Sequence, residues 1–216
     1  MAALQIIPIP NGLFEENCYL LGEAGRSDVV IVDPGEEADR FLEEARSRKL
    51  SIAEIWLTHA HIDHIMGVDA VKRATGAPVF LHPDDRPIYD GLVEQGRLFG
   101  FEVAPAQPPD RTLHHGQRLT LGSVDIEVRH VPGHSPGHVV FVAPGAVLGG
   151  DVLFQGSIGR TDLMGGDLPT LLAGIREHLF SLPDDTIVYP GHGPATTIGR
   201  ERASNPFLLE GVPRVL

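Results

Sequence analysis

The stretch Thr58-His59-Ala60-His61-Ile62-Asp63-His64-Ile65-Met66-Gly67 sets four chelating side chains within six positions. In an extended chain, residues i and i+2 point to the same side, so His59 and His61 can grip one ion together. A switch into helix near Asp63 re-aims Asp63 and His64 toward a second ion close by. Imidazole nitrogen and carboxylate oxygen are the donors expected for zinc and similar borderline metals. The short run Glu54–Leu57 just before reads as a strand. His64–Thr75 just after reads as a helix, stopped by Gly76 and Pro78.

Upstream, Gln5–Pro8, Cys18–Gly22 and Val29–Val32 are short apolar runs separated by turn residues, which predicts strands. Glu36–Lys49, with Phe41, Leu42 and Ala45 on one side, predicts an amphipathic helix. Downstream, strands are expected at Pro78–His82, Arg118–Leu121, Val124–His130, Val139–Val142, Ala146–Leu148 and Thr186–Tyr189, with helices at Leu168–Leu182 and Thr197–Ala203. Pro83–Pro109 carries scattered Pro, Gly and acidic residues and shows no period; Pro108–Asp110 marks a loop. Strands and helices alternate in two groups joined by hairpin-length connections. The expectation is one α/β domain over 1–216, with sheets inside and helices outside.

Three more segments with chelating side chains follow apolar strands, each flanked by Gly or Pro. Pro132–His138 (PGHSPGH) supplies His134 and His138, Gly149–Phe154 (GGDVLF) supplies Asp151, and Tyr189–Pro194 (YPGHGP) supplies His192. Stiff loops at a sheet edge are where a scaffold presents reactive groups. His82, His114, His115 and His178 lie in no ligand-spaced cluster and read as surface or hydrogen-bonded histidines.

The 216 residues are 42% hydrophobic and 21% charged, ordinary for a soluble globular chain. Seventeen Lys and Arg against 29 Asp and Glu give a net charge of -12, which argues against nucleic acid as a partner. An anionic substrate would need local positive charge from metals or particular arginines. A single cysteine, Cys18, allows no internal disulfide and suits a reducing cytoplasm; its setting reads as a buried hydrophobe. The N-terminus lacks a basic leader, and no apolar run approaches the ~20 residues of a membrane span. Oligomeric state is left open.

The succession HAHIDH (His59–His64), His134, Asp151 and His192, with Asp33-Pro34-Gly35 upstream, resembles the motif series of the metallo-β-lactamase superfamily. The resemblance spans nearly the whole chain and implies a four-layer αββα sandwich with metals at one edge between two sheets. It further implies that His59, His61 and His134 hold one divalent ion and that Asp63, His64 and His192 hold another. Asp151 would bridge the two, and Asp33 would orient the ligands from behind. His138 is expected to set the His134 loop rather than to ligate.

Where Asp151 stands, the common two-zinc β-lactamases carry cysteine. Asp151 together with His61 resembles instead the glyoxalase II-like thioester hydrolases. Gly156–Asp167 and Thr196–Leu208 resemble the short bacterial members of that group, which lack a C-terminal helical extension that carries part of the glutathione-binding surface. The resemblance implies hydrolysis of S-acylglutathione, of the S-lactoylglutathione type, by a water activated between two metal ions. Zinc is the first expectation, with iron or manganese allowed by the same donors. Asp63 would orient the attacking water, and Arg160 is the candidate for holding a substrate carboxylate. Persulfide dioxygenases share the HxHxDH segment but use a single iron, so they form the main alternative. A lactonase or other ester hydrolase is a second, and a metal-bound interaction module a third.

Overall fold

A computed structural model describes residues 3–209; residues 1–2 and 210–216 of the expected domain lie outside the described residues. The first half contains β1 (Leu4–Asn11), β2 (Glu16–Glu23), β3 (Asp28–Val32), α1 (Ala38–Ser47), β4 (Ser51–Trp56), α2 (Ile62–Ile65), α3 (Val68–Thr75) and β5 (Val79–Leu81). A 3-10 turn at Pro83–Asp85, α4 (Arg86–Asp90), α5 (Leu92–Phe99) and β6 (Arg111–Thr112) complete it. The second half contains β7 (Arg118–Leu121), β8 (Val124–His130), β9 (Val139–Ala143), β10 (Ala146–Gly150), and the small hairpin of β11 (Leu153–Phe154) and β12 (Ser157–Ile158). It ends with α6 (Leu168–Gly174), a π-turn at Ile175–Leu179, β13 (Ile187–Pro190), β14 (Thr196–Thr197) and α7 (Ile198–Ser204).

One six-stranded sheet runs β1-β2-β3-β4-β5-β6 and the other β14-β13-β10-β9-β8-β7. Three apolar clusters define the layers. Cys18, Leu20, Val29, Ile31 and Ile55 face α1 and α3, joining Phe41, Val68 and Val71. The alternate residues Tyr19, Leu21, Val30, Val32 and Trp56 face the second sheet and meet Val128, Phe141 and Leu148. Val140, Val142 and Val147 point outward to α6 and α7, packing Leu171, Leu172 and Ile198. Strands buried on both faces must be apolar at every position, so β2 and β3 read as continuous runs rather than alternating ones. The result is helix, sheet, sheet, helix, as the resemblance implies.

Several boundaries differ from the sequence reading. The helix expected over His64–Thr75 starts at Ile62 and is broken at Met66–Gly67. Gly67 is pressed against the Asp33–Gly35 turn: its N–H donates to the Pro34 carbonyl at 3.0 Å, and a Cβ there would meet the Gly35 carbonyl at 2.5 Å. The helix expected over Leu168–Leu182 loosens into its π-turn after Gly174. The strand expected over Gln5–Pro8 runs to Asn11, because β1 pairs on one side only and Pro8 and Pro10 can sit where no N–H is required. Pro83–Pro109 contains α4 and α5, short helices punctuated by Gly91, Gly96 and Gly100. Among the described residues no helix is long and apolar enough to cross a membrane.

Candidate metal centre

Beyond β4, His61 is extended, with φ of -69° and ψ of 151°, and α2 begins at Ile62. His61 therefore leaves extended backbone, while Asp63 and His64 leave the first helical turn. His134 follows β8, Asp151 follows β10 and His192 follows β13. All seven side chains meet at one edge of the sandwich. His61 Nδ1 lies 2.8 Å from His134 Nε2, which lies 3.2 Å from His59 Nε2. Asp63 Oδ2 lies 3.1 Å from His192 Nε2 and 3.7 Å from His64 Nε2. Asp151 stands between the two groups, with Oδ1 3.5 Å from His64 Nε2 and Oδ2 3.5 Å from His134 Nε2.

The hydrogen bonds around this centre decide which nitrogens face inward as lone pairs. His134 Nδ1 donates to the Arg160 carbonyl at 2.8 Å, and His192 Nδ1 donates to the Phe14 carbonyl at 3.0 Å. His64 Nδ1 donates to Asp33 Oδ2 at 3.1 Å. Thr58 Oγ1 donates to the same oxygen at 2.6 Å and so accepts from His59 Nδ1 at 3.0 Å. With each Nδ1 carrying the proton, the Nε2 atoms of His59, His64, His134 and His192 all present lone pairs to the centre. Lone pairs so close cannot satisfy one another, and His64 Nε2 and Asp151 Oδ1 are buried with no hydrogen-bond partner. His59, His61 and His134 form one group of donor atoms within 4.8 Å of one another, and Asp63, His64 and His192 form a second. Buried, orphaned donors in two such sets fit two cations and are costly without them.

Charge agrees with the geometry. Burial, then the neighbouring imidazole of His134, holds the His61 pKa at about 3, so this ring stays neutral at neutral pH. His59 is likewise held well below the ordinary value by burial and by His64. Burial works against a charged Asp151, yet His64 beside it keeps its carboxyl far below the usual range. Burial also opposes a charge on His64, but Asp63 and Asp151 raise its pKa well above the ordinary value. The pocket draws positive charge, as a proton or as an ion.

Asp33 holds φ at 51°, an uncommon value for a non-glycine residue, and its Oδ1 accepts from the Thr58 N–H at 2.7 Å. His138, expected to set the His134 loop, accepts from the Val131 N–H at 2.8 Å through its carbonyl, and it also accepts from the Asp151 N–H at 3.0 Å through Nε2 and stacks on His59 at 4.7 Å. Arg160 lines the cleft, with its guanidinium forked onto Asp162 at 2.7 Å through both nitrogens. Gly191 leaves no room for a Cβ, which would run into Asp151 Oδ1 and the His64 ring.

Four residues outside the sequence reading complete the site. Asp85 is fully buried and accepts from the Ala60 N–H at 2.8 Å, the Ser135 hydroxyl at 2.9 Å and the Gly137 N–H at 2.6 Å. It ties the HxHxDH segment to the His134 loop. Gln95 of α5 accepts from the Ile62 N–H at 2.9 Å and donates to the Ala60 carbonyl at 3.1 Å. Buried Glu16 accepts from Asn11 Nδ2 at 2.6 Å and lies 3.7 Å from His64 Nδ1. Phe14 lends its carbonyl to His192. His82, set aside in the sequence as belonging to no cluster, stacks on His130 at 4.1 Å and 11° and lies near Asp84. The in-plane lone pairs of two parallel rings do not converge, so this pair is packing rather than a chelate.

Residues 11–192 match the model of the metallo-beta-lactamase superfamily. The chain is 39% identical to the hydroxyacylglutathione hydrolase GloC of Haemophilus influenzae, over 95% of this chain and 97% of that protein. Among solved structures it resembles the BLEG-1 B3 metallo-beta-lactamase, with 43% identity, a TM-score of 0.88, and 94% and 99% of the two chains covered. It also resembles TTHA1623 in a di-iron-bound form, with 43% identity, a TM-score of 0.87, and 94% and 100% covered. Fold, ligand geometry and kinship agree: the chain belongs to the metallo-β-lactamase superfamily.

Proposed function

We propose that the protein is a metal-dependent hydrolase of glyoxalase II type, cleaving small-molecule thioesters such as S-lactoylglutathione. The observation that carries the two-cation part is Asp151, whose two oxygens divide between His64 of one donor group and His134 of the other. His59, His61 and His134 would hold one divalent ion, Asp63, His64 and His192 the other, and Asp151 both. Zinc is the first choice on donor chemistry, while the di-iron form of TTHA1623 supports iron as an alternative. Bound there, two cations acidify a water and polarise a carbonyl oxygen.

The chain's own residues supply the rest. Asp63 stays ionised, since the opposing effect of burial is outweighed by the pull of His64 and of His192 beside it. It lines the cleft and would accept a hydrogen bond from the attacking water, aiming its lone pair at the carbonyl carbon. Attack adds oxygen to the carbonyl; collapse breaks the carbon–sulfur bond and releases a thiol and an acid. Arg160, on the same wall, would meet a substrate carboxylate once it exchanges partners with Asp162. His138 and Asp33 act through the ligands, holding the Asp151 backbone and the His64 ring. The similarity to GloC supports the thioester as substrate. A cytoplasmic setting belongs to the same reading and is supported by buried, unpaired Cys18.

The test is hydrolysis of S-lactoylglutathione by protein purified with its native metals. Turnover abolished by a chelator and restored by added metal supports the proposal, and no turnover by metal-replete protein overturns it. Oxygen consumption on a glutathione persulfide, with one iron per chain, would decide for the oxygenase instead. His61→Ala and Asp151→Ala should each lose metal and turnover together.

A further inference from the structure

The cleft above the metal centre has a volume of about 350 Å3 and walls that are largely apolar. Phe14 and Phe99 form part of the lining and meet edge to face at 5.5 Å, with Phe101 against Phe14 at 5.6 Å. The β11–β12 hairpin adds Phe154 and Ile158, and the following loop adds Leu163. Phe154 sets its ring 6.2 Å from that of His192. The Phe14 carbonyl holds His192 Nδ1, so this apolar wall is anchored to the centre itself.

Phe99, one of seven large hydrophobic residues exposed among the described residues, stands on the cleft wall itself. A cleft lined largely by apolar and aromatic side chains marks a surface that binds something apolar. Arg160 is the one Arg or Lys among the lining residues, and Asp162 already neutralises it with two hydrogen bonds of 2.7 Å. The other charges on the wall belong to the metal centre. Nothing on this wall offers a free cation to a polyanion, and much of it offers hydrocarbon.

We propose that the substrate carries an apolar arm, alkyl or aryl, next to the scissile carbonyl, seated on Phe14, Phe99 and Phe154. This deepens the hydrolase reading and rests on it for the bond that is cut. The arm could sit on the acyl side or the thiol side; the chemistry that recognises it is the same.

Two series of neutral thioesters separate these sources: acetyl, butyryl and octanoyl groups on one small thiol, and an acetyl group on ethyl, butyl and octyl thiols. Each buried methylene contributes about 0.8 kcal/mol, or about a fourfold gain. With part of the arm exposed, kcat/KM should rise about two- to fourfold per methylene in one series, which identifies the side. Phe99 is 44% exposed, so Phe99→Ala should fold normally and flatten the slope, and Phe99→Leu should restore most of it. Calorimetric binding of the matching thioethers, which cannot be hydrolysed, to metal-free protein gives a second readout. Affinity that rises with chain length while no thioester is turned over would overturn the hydrolase reading and keep the apolar arm. Chelator-sensitive turnover with no dependence on chain length in either series, and flat thioether binding, would overturn the apolar arm and leave hydrolysis standing.

Discussion

Asp85→Ala tests whether the metal centre is held by a residue that touches no ligand side chain. The Asp85 carboxylate accepts from the Ala60 N–H at 2.8 Å, between His59 and His61, and from the Ser135 hydroxyl at 2.9 Å, beside His134. Its other oxygen accepts from the Gly137 N–H at 2.6 Å. Alanine leaves two buried backbone donors with no acceptor, and each orphaned group costs about 1–3 kcal/mol. The hydroxyl of Ser135 can rotate and adds little. Removing a carboxylate whose own burial is unfavourable, and raises its pKa, returns part of the loss. The expected net destabilisation is about 3 kcal/mol. Urea unfolding of metal-free protein, followed by circular dichroism, should show the midpoint falling by about 1–3 M, since m is about 1–3 kcal/mol/M. The same change lets the His59–His61 segment drift from His134, so metal affinity should fall about 10- to 100-fold in a competition titration. A variant with an unchanged midpoint and unchanged metal affinity would refute the idea that Asp85 stitches the two ligand loops together.

Gly191→Ala places a methyl group against Asp151 Oδ1 and the His64 ring, so metal content should drop well below the parent's; full metal loading would reject the steric argument. Arg160→Ala should raise KM for an anionic thioester far more than for a neutral one, and Asp162→Ala, by freeing the guanidinium, should lower it; equal effects on both substrates would remove Arg160 from the binding wall. Burial and then His130 depress the His82 pKa to about 4, so the folded state prefers this ring neutral. Its contribution to stability is complete above the unfolded value of about 6.5 and is lost as pH falls toward 4. His82→Phe keeps a flat ring on His130 and should lose less thermal stability than the parent between pH 7 and pH 5; an equal loss would show that His82 carries none of the acid sensitivity.

The candidate ligands were readable because chelation leaves a short-range signature: four donors in one segment, and three more set off by Gly or Pro after apolar runs. The layers were readable for a similar reason, since β2 and β3 bury both faces and show it as unbroken hydrophobicity. The residues that hold the ligands were not readable. Asp85, Gln95 and Glu16 look like ordinary polar residues in the sequence, and each is defined by partners that only the fold brings near. Asp85 and Gln95 also fall in Pro83–Pro109, where helices of five to eight residues interrupted by glycine give no period long enough to detect. β6, β11, β12 and β14 are two residues each, too short for any alternation. His138 was placed on the right loop in the sequence, but its acceptor role toward the Asp151 N–H depends on β9 and β10 lying side by side.

Both donor groups draw on both sheets: His59, His61, Asp63 and His64 come from the first half of the chain, and His134, Asp151 and His192 from the second. A cation in either group is therefore a removable rivet between the halves, closing long stretches of intervening chain as a cross-link would. For the sheets to part, that grip must be released first, so the lifetime of the folded chain, and its resistance to proteolysis, would follow the free metal concentration around it. A cell starved of metal would then lose this protein as well as its activity, matching the abundance of the fold to the supply of its ions.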